Sequence, residues 1–258
     1  MEFNIYECIQ DADMVLVGLG EEFDCSKYIS RTEGNETLSE LEKSLPWFLP
    51  AYSYYAIGDG KEKILKCLNR LKDLLQDKNY FVLSTSTNRM IKEVEWKSGN
   101  LVMPCGNMTH LQCENGCEGS LRELTAEDEV KLQEFAKCPE LILSQKEKIN
   151  FGNCEKCGAP LVLNNYYNQK YDENGYLDMW KLYTKWLQGT LNKKLLILEL
   201  GAGFVCPSVM RWPFEKVAFY NQKAKMFRVN EKLYHLTDDL KEKGCSVSQN
   251  AIEWLNRL

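Results

Sequence analysis

No stretch of this 258-residue chain approaches the 18 or so consecutive apolar residues that a membrane helix needs, so a spanning role is not expected. The opening MEFNIYECIQ lacks the basic start and apolar run of a secretory leader, which predicts a cytoplasmic protein. Positive charge is not in excess. The formal net charge of -5 gives no overall attraction to nucleic acid or to an anionic membrane surface, and neither is expected as a partner. Internal repeats and low-complexity linkers are also missing. What is present is an ordinary globular mixture, 44% hydrophobic and 27% charged, long enough for one large domain carrying a smaller one. Cysteine is the abundant oddity, with eleven residues. In a reducing compartment close pairs of cysteines signal metal or chemistry more often than disulfides.

Apolar residues 14–17 in DADMVLVGLG run into Gly18-x-Gly20, the pattern of a buried parallel strand followed by a sharp turn. Residues 80–87, YFVLSTST, and 194–203, KLLILELGAG, read the same way, the second again ending in Gly-x-Gly. Shorter strands are expected at 216–220 and 226–230, and a C-terminal helix capped by Ser246 or Ser248. Between the first two strands, Ile64, Leu65, Leu68, Leu71, Leu74 and Leu75 recur at helical spacing, predicting an amphipathic helix over 61–77 with Cys67 packed inside. The aromatic run PWFLPAYSYY, 46–55, is expected to pack within a helical subdomain rather than to form a partner surface or lid. Strands alternating with helices give an α/β protein with a Rossmann-like open parallel sheet, whose ligand lies at the carboxyl ends of the strands.

Cys113-x3-Cys117 and Cys154-x2-Cys157 are separated by 36 residues. Thiolates two or three residues apart on a tight turn reach adjacent corners of a tetrahedron, the geometry of structural Zn²⁺. Gly116, Gly119 and Gly158 let the backbone curl around the sulfurs. His110 is an alternative ligand, although a solvated surface histidine is the plainer reading. The expected division is a nucleotide-binding domain from 1–23, 79–103 and 166–258, a helical subdomain or lid over 24–78, and a zinc-binding module over 104–165.

A four-cysteine module inserted into a nucleotide-binding α/β domain resembles the sirtuin family of NAD-dependent deacylases and ADP-ribosyltransferases. Gly18-Leu19-Gly20 stands at the first glycine motif, and Ser86-Thr87-Asn88-Arg89-Met90 at a Thr-Gln-Asn-x-Asp motif. Cys105-Gly106-Asn107 takes the place of a His-Gly motif, Gly201-Ala202-Gly203 that of Gly-Thr/Ser-Ser, and Arg228-Val229-Asn230 matches a strand ending in a ribose-binding asparagine. The run GAGFVCPSVMRWPFEKV, 201–217, is most similar to the bacterial, macrodomain-associated branch linked to protein ADP-ribosylation. The resemblance implies NAD as cosubstrate, structural Zn²⁺, NAD or ADP-ribose as nucleotide ligand, and a protein or peptide acceptor. It places Gly18, Gly20, Thr87, Asn88, Gly201, Gly203 and Asn230 at the nucleotide, with Cys105, Asn88, Asn107 and Glu21 as catalytic candidates.

The chemistry has been rearranged. A thiol replaces the histidine base, and a free thiol's pKa of about 8.5 leaves little thiolate at neutral pH. Met90 replaces an aspartate, and Glu21-Glu22-Phe23-Asp24 replaces small residues, putting three carboxylates beside a loop that would hold pyrophosphate. Glu199, and Arg211 with Trp212, are further lining candidates, with Glu215 a possible ion partner of Arg211. Cys206 is a second nucleophile that would pair with Cys105 if their loops converge, opening a redox or second metal role. Two readings follow: a sirtuin-like NAD-dependent protein ADP-ribosyltransferase or deacylase with a rearranged site, or a catalytically inactive sirtuin-fold protein that binds a nucleotide or protein partner.

Overall fold

The computed structural model describes residues 4–29, 35–97 and 99–258. Its strands are β1 (Met14–Leu19), β2 (Asn79–Ser84), β3 (Leu101–Val102), β4 (Gly106–Cys113), β5 (Arg122–Glu123), β6 (Leu161–Asn165), β7 (Leu195–Leu200), β8 (Lys225–Val229) and β9 (Gly244–Val247). Six form one sheet in the order β3-β2-β1-β7-β8-β9, with every pairing parallel. The continuous apolar runs follow from burial on both faces. Along β1, Val15, Val17 and Leu19 enter the core beneath the Gly60–Leu74 and Ala251–Arg257 helices. Met14 and Leu16 point the other way, toward the Leu177–Gln188 and Arg211–Tyr220 helices. Among the described residues no helix is long and apolar enough to cross a membrane.

The Gly60–Leu74 helix starts one residue before the predicted 61–77 span and ends three residues short of its end, and it buries Ile64, Cys67, Leu68 and Leu71, the i, i+3, i+4, i+7 stripe. Two expectations are corrected. Residues 216–220 are the last turns of the Arg211–Tyr220 helix, not a strand: Phe214 and Ala218 are buried four residues apart against the sheet, and the short KVAFY run carries no strand alternation. The C-terminal helix is capped by Asn250, whose side chain accepts from the Ile252 and Glu253 amides, while Ser246 lies in edge strand β9.

A second, antiparallel sheet has the order β5-β4-β6. Its pairing shifts register between Gly106 and Leu111, where Met108 takes φ 62°. The core of this sheet is shared with 35–56. Leu41, Trp47, Phe48, Leu49 and Tyr52 pack with Leu111, Leu132, Phe151, Leu161 and Leu163, so the aromatic run 46–55 is largely internal. The Asn165 side-chain amide ties the two segments by donating to the Trp47 carbonyl at 2.8 Å. On the main sheet, register sets Glu199 of β7 directly beside Arg228 of β8. The two are fully buried and joined by paired bonds of 2.6 and 2.9 Å, with Glu215 on the far side of Arg228 at 2.7 Å.

Candidate functional site

The carboxyl ends of β1, β2, β7 and β8 open into loops that meet over the sheet, where ligands of open α/β sheets bind. The loops after β1 and β7 touch at backbone distance. A Cβ added at Gly20 would lie 2.3 Å from the Ala202 Cα, and Gly201 adopts φ +67°. The Gly20 amide donates to the Leu200 carbonyl, and the Glu22 amide to the Gly201 carbonyl. Gly18 has a different task. A Cβ there would meet the Met210 Sδ and the Phe214 ring at 2.6 Å, so it lets the covering helix approach β1.

Glu21 and Glu22 are turned onto backbone amides. Glu21 accepts from the Val205 amide at 2.9 Å, and its carboxylate lies across Gly203. Glu22 accepts from the amides of Glu231 at 2.8 Å and Ala251 at 2.6 Å, the latter at the start of the C-terminal helix. Burial raises the pKa of the Glu22 carboxyl, opposed by those two amides. Beside these side chains lies an open cleft of about 500 Å³ bordered by Gly201, Gly203, Asn230 and the lysines Lys27 and Lys232. Asn230 caps its wall: the carboxamide oxygen accepts from the Lys232 and Leu233 amides, and its nitrogen donates to the Ala202 carbonyl. Arg211 fixes the same loop, donating to the carbonyls of Ala202 at 2.9 Å and Leu233 at 2.7 Å. Its ion partner is Glu199 at 3.5 Å rather than Glu215, which serves Arg228. Trp212 is more than half exposed and faces solvent.

Deeper in, Asp24 accepts from the Ser86 hydroxyl at 2.6 Å and the Thr87 amide at 3.3 Å. Its pKa is pushed up to about 7, because burial outweighs those two donors. Asn88 is buried and used on both ends: it donates to the Phe23 carbonyl and accepts from the Met90 amide, bracing the β2 loop against the β1 loop. Cys105 is buried, and its Sγ donates to the Cys206 Sγ at 3.6 Å. That contact and burial raise the Cys105 thiol pKa, and accepting the bond lowers that of Cys206. Tyr166 and Tyr167, with ring centroids 4.2 Å apart, follow β6 close by, and the Tyr166 amide donates to the Cys105 carbonyl.

The loops thus bring together Glu21, Gly201, Gly203 and Asn230 at the cleft, with Gly20 buried against Ala202 and with Asp24, Thr87, Asn88, Cys105 and Cys206 on the inner side. Asn107 lies in a separate groove of about 340 Å³ with Lys92, Trp96 and His110, where its carboxamide oxygen accepts from the Thr109 hydroxyl at 2.5 Å. Sequence reasoning met Ser86 only as the first residue of the 86–90 motif, without its bond to Asp24, and did not single out Tyr166 and Tyr167. The only signal was the tyrosine-rich stretch NNYYNQKYDENGY after the second cysteine pair.

The ligand atoms of Cys113, Cys117, Cys154 and Cys157 all lie within 4.8 Å of one another. A tetrahedral Zn²⁺ with bonds near 2.3 Å has sulfur edges of about 3.8 Å, so the set fits one ion of that size. The Ala159 amide, followed by its sulfur neighbours, lowers the Cys157 thiol to about 6, toward the thiolate that a metal takes. His110 is not in the cluster; its Nδ1 lies 2.9 Å from the Thr109 hydroxyl, and burial lowers its pKa.

Six parallel strands, two meeting glycine loops and a four-cysteine cluster on an inserted sheet can be set against known structures. A Sir2 homologue in complex with NAD superposes with a TM-score of 0.53 at 11% identity, covering all of this chain and 92% of that one. Sir2 bound to an acetylated peptide gives 0.54 at 12%, covering 97% and 94%. The fold is that of the sirtuins. No family model matches the chain. Two curated relatives do: a protein ADP-ribosyltransferase of Staphylococcus aureus (strain Mu50 / ATCC 700699), 22% identical over 186 residues, and a probable bifunctional ADP-ribose hydrolase/ADP-ribosyltransferase of Fusarium oxysporum f. sp. cubense, 27% identical over 156. These alignments take in 70% and 58% of this chain, which spans 56% and 25% of the relatives' lengths. On this sirtuin fold the chain carries a thiol at Cys105 and carboxylates after Gly20.

Proposed function

We propose that this protein is an NAD-dependent ADP-ribosyltransferase with a rearranged sirtuin-type site and a structural Zn²⁺ held by Cys113, Cys117, Cys154 and Cys157. The observation that carries the reading is the cleft of about 500 Å³ between the Gly20 and Gly201–Gly203 loops, at the strand ends and beside Asn230. Its volume suits a nucleotide, and two curated relatives bear ADP-ribosyltransferase names. NAD, when bound, supplies the ADP-ribosyl group and nicotinamide as leaving group. Gly201, Gly203 and Asn230 line the ADP half, with Gly20 buried against Ala202, and Lys27 and Lys232 at the rim offset the phosphate charge. The Val205 amide, now held by Glu21, would be free to serve a pyrophosphate once that carboxylate turned away. Thr87 and Asn88 hold the inner loop, with Gly18 beneath it, and Asn107 and the groove with Trp96 and His110 stand on the acceptor side.

Asp24 is the base. With a pKa of about 7 it is half ionised at neutral pH, the condition under which one group best accepts an acceptor's proton. Cys105, whose thiol is held protonated by burial and by Cys206, does not replace the histidine of deacylating sirtuins as a base, and this disfavours deacylation. Calorimetry of NAD and ADP-ribose with the zinc-loaded protein, followed by measurement of nicotinamide release, tests the reading. Binding of both ligands is expected, with slow release that falls at least about a hundredfold in Asp24→Asn, the usual scale of a lost general base. Failure of either ligand to bind would sink it.

A second reading rests on one observation: the amides of Val205, Glu231 and Ala251 already serve Glu21 and Glu22. If those bonds persist with nucleotide present, the frame serves a binding partner and not turnover.

A further inference from the structure

Cys105 and Cys206 lie 101 residues apart in the chain, yet their sulfurs are 3.6 Å apart. They come from different units. Cys105 immediately precedes β4 of the inserted sheet, and Cys206 sits in the loop that leaves β7. The pair is asymmetric in three ways. Cys105 is almost wholly buried and Cys206 is half-buried. Cys105 donates and Cys206 accepts. The neighbours Phe204 and Val205 of Cys206 are more than half exposed, so a small solute reaches this loop from solvent.

We propose that Cys105 and Cys206 form a redox-active dithiol that takes a hydroperoxide as substrate, with Cys206 attacking and Cys105 resolving. The Cys206 thiolate attacks the distal peroxide oxygen, the O–O bond breaks, and sulfenic acid forms at Cys206 with release of water or an alcohol. The Cys105 sulfur then displaces the sulfenic hydroxyl, its own proton leaving with it as water, and the S–S bond closes. Two thiols are oxidised and one peroxide is reduced. A dithiol reductant reverses the state by exchange. Reaching the S–S length of about 2.05 Å requires the sulfurs to approach by only about 1.5 Å. The lowered pKa of Cys206, whose first cause is the Cys105 bond, favours the attacking role. Asp24 and Glu21, the carboxylates facing the pair, oppose ionisation of Cys206.

The bond would fasten the 201–206 loop to the inserted sheet and so fix one wall of the cleft. That consequence for nucleotide binding rests on the ADP-ribosyl reading. The dithiol chemistry does not.

The test is treatment of the zinc-loaded full chain with one equivalent of hydrogen peroxide, thiol blocking, and peptide mapping, with zinc release followed by a chromogenic chelator. A Cys105–Cys206 link is expected before zinc is lost. Cys105→Ser should stop at a Cys206 sulfenic acid trapped by a cyclic 1,3-dione. Cys206→Ser should neither link nor trap, with at least about a tenfold slower first oxidation, as expected when the attacking thiolate is removed. Hydrogen exchange over residues 203–209 should slow on oxidation of the unmodified protein. Oxidation of the four cluster cysteines first, or equal trapping at Cys105 when Cys206 is absent, would overturn the proposal. Because the mapping on unmodified protein needs no bound nucleotide, it decides the dithiol even if ADP-ribose fails to bind.

Discussion

A Cβ placed on Gly203 would stand 2.2 Å from Oε2 of Glu21, so a carboxylate of the first glycine loop lies directly over the second. The same carboxylate holds the Val205 amide at 2.9 Å. An internal anion thus occupies loop amides of the kind that hold nucleotide phosphates elsewhere. Glu21→Ala removes this internal competitor and a repulsive charge. Its affinity for ADP-ribose, measured by calorimetry, is expected to rise by about tenfold, corresponding to about 1.4 kcal/mol. A loss of affinity would instead make Glu21 a nucleotide ligand.

The two glycine loops should respond very differently to alanine. At Gly203 the obstructing atom is the far end of a flexible side chain, so Gly203→Ala is expected to lower stability by under about 1 kcal/mol as Glu21 swings away. At Gly20 the obstruction is the Ala202 backbone, which cannot yield without moving β7's loop. Gly20→Ala is expected to cost about 3 kcal/mol in urea unfolding, the upper end of the usual cost of overpacking, because the obstruction is backbone. Comparable midpoints for the two variants would contradict the close approach of the loops.

Asp24 makes stability depend on pH in a defined direction. An unfolded aspartate titrates near 3.9, whereas the folded one titrates at about 7, raised by burial. Between these values the native state binds the extra proton, so this group's contribution is fully present below about pH 4 and is lost as pH rises through 7. Asp24→Asn should therefore flatten the decline in Tm between about pH 4 and 7 relative to the unmodified protein. An unchanged slope would place the titration elsewhere.

Glu199 carries a buried charge shared between two arginines. It is fully buried, with Arg228 at 2.6 Å and Arg211 at 3.5 Å, and burial raises its pKa against the pull of Arg228. Removing it leaves Arg228 with Glu215 as its carboxylate partner and Arg211 with backbone carbonyls alone. Glu199→Ala is expected to cost about 3–5 kcal/mol in denaturant unfolding, the usual penalty for orphaning a buried partner. Glu199→Gln, which keeps some hydrogen bonding, should cost less.

Much of the frame was legible because its signals are local. The apolar runs at 14–19, 80–84 and 195–200 and the helical stripe Ile64, Cys67, Leu68, Leu71 need no knowledge of the rest of the chain. The four-cysteine cluster was legible for the same reason, since paired spacings state its geometry. KVAFY misled because a short apolar run is shared by strand and helix, and tertiary cover by Phe214 and Ala218 decided it. The site's chemistry was least legible. Whether Glu21 and Glu22 repel a ligand or bind their own backbone depends on Val205, Glu231 and Ala251, amides with no side-chain signature and up to 229 residues away. Glu199 was read as a lining residue at a strand end, whereas the register with Arg228 makes it the partner of a buried cation.

Chelation should report on more than the cysteine loops. The cluster residues Cys113 and Cys154 belong to the same apolar core as Leu41, Phe48 and Tyr52, which lie more than fifty residues earlier in the chain. Treatment with a strong chelator is expected to raise protease cleavage in 35–56 together with 113–157, while the Gly60–Leu74 helix stays protected on the main sheet. Protection of 35–56 in the metal-free protein would separate the two segments.

That shared core also sets a rule for anyone grafting parts of this protein. The chain leaves 35–56, builds two helices and two strands of the main sheet, and only then supplies the residues that complete the first segment's packing. A chimera that exchanges the cysteine-bearing insertion alone would leave Trp47, Phe48 and Tyr52 facing a foreign surface. The heritable module here is a discontinuous pair of segments, and substitutions on one should be tolerated only when the other changes with them.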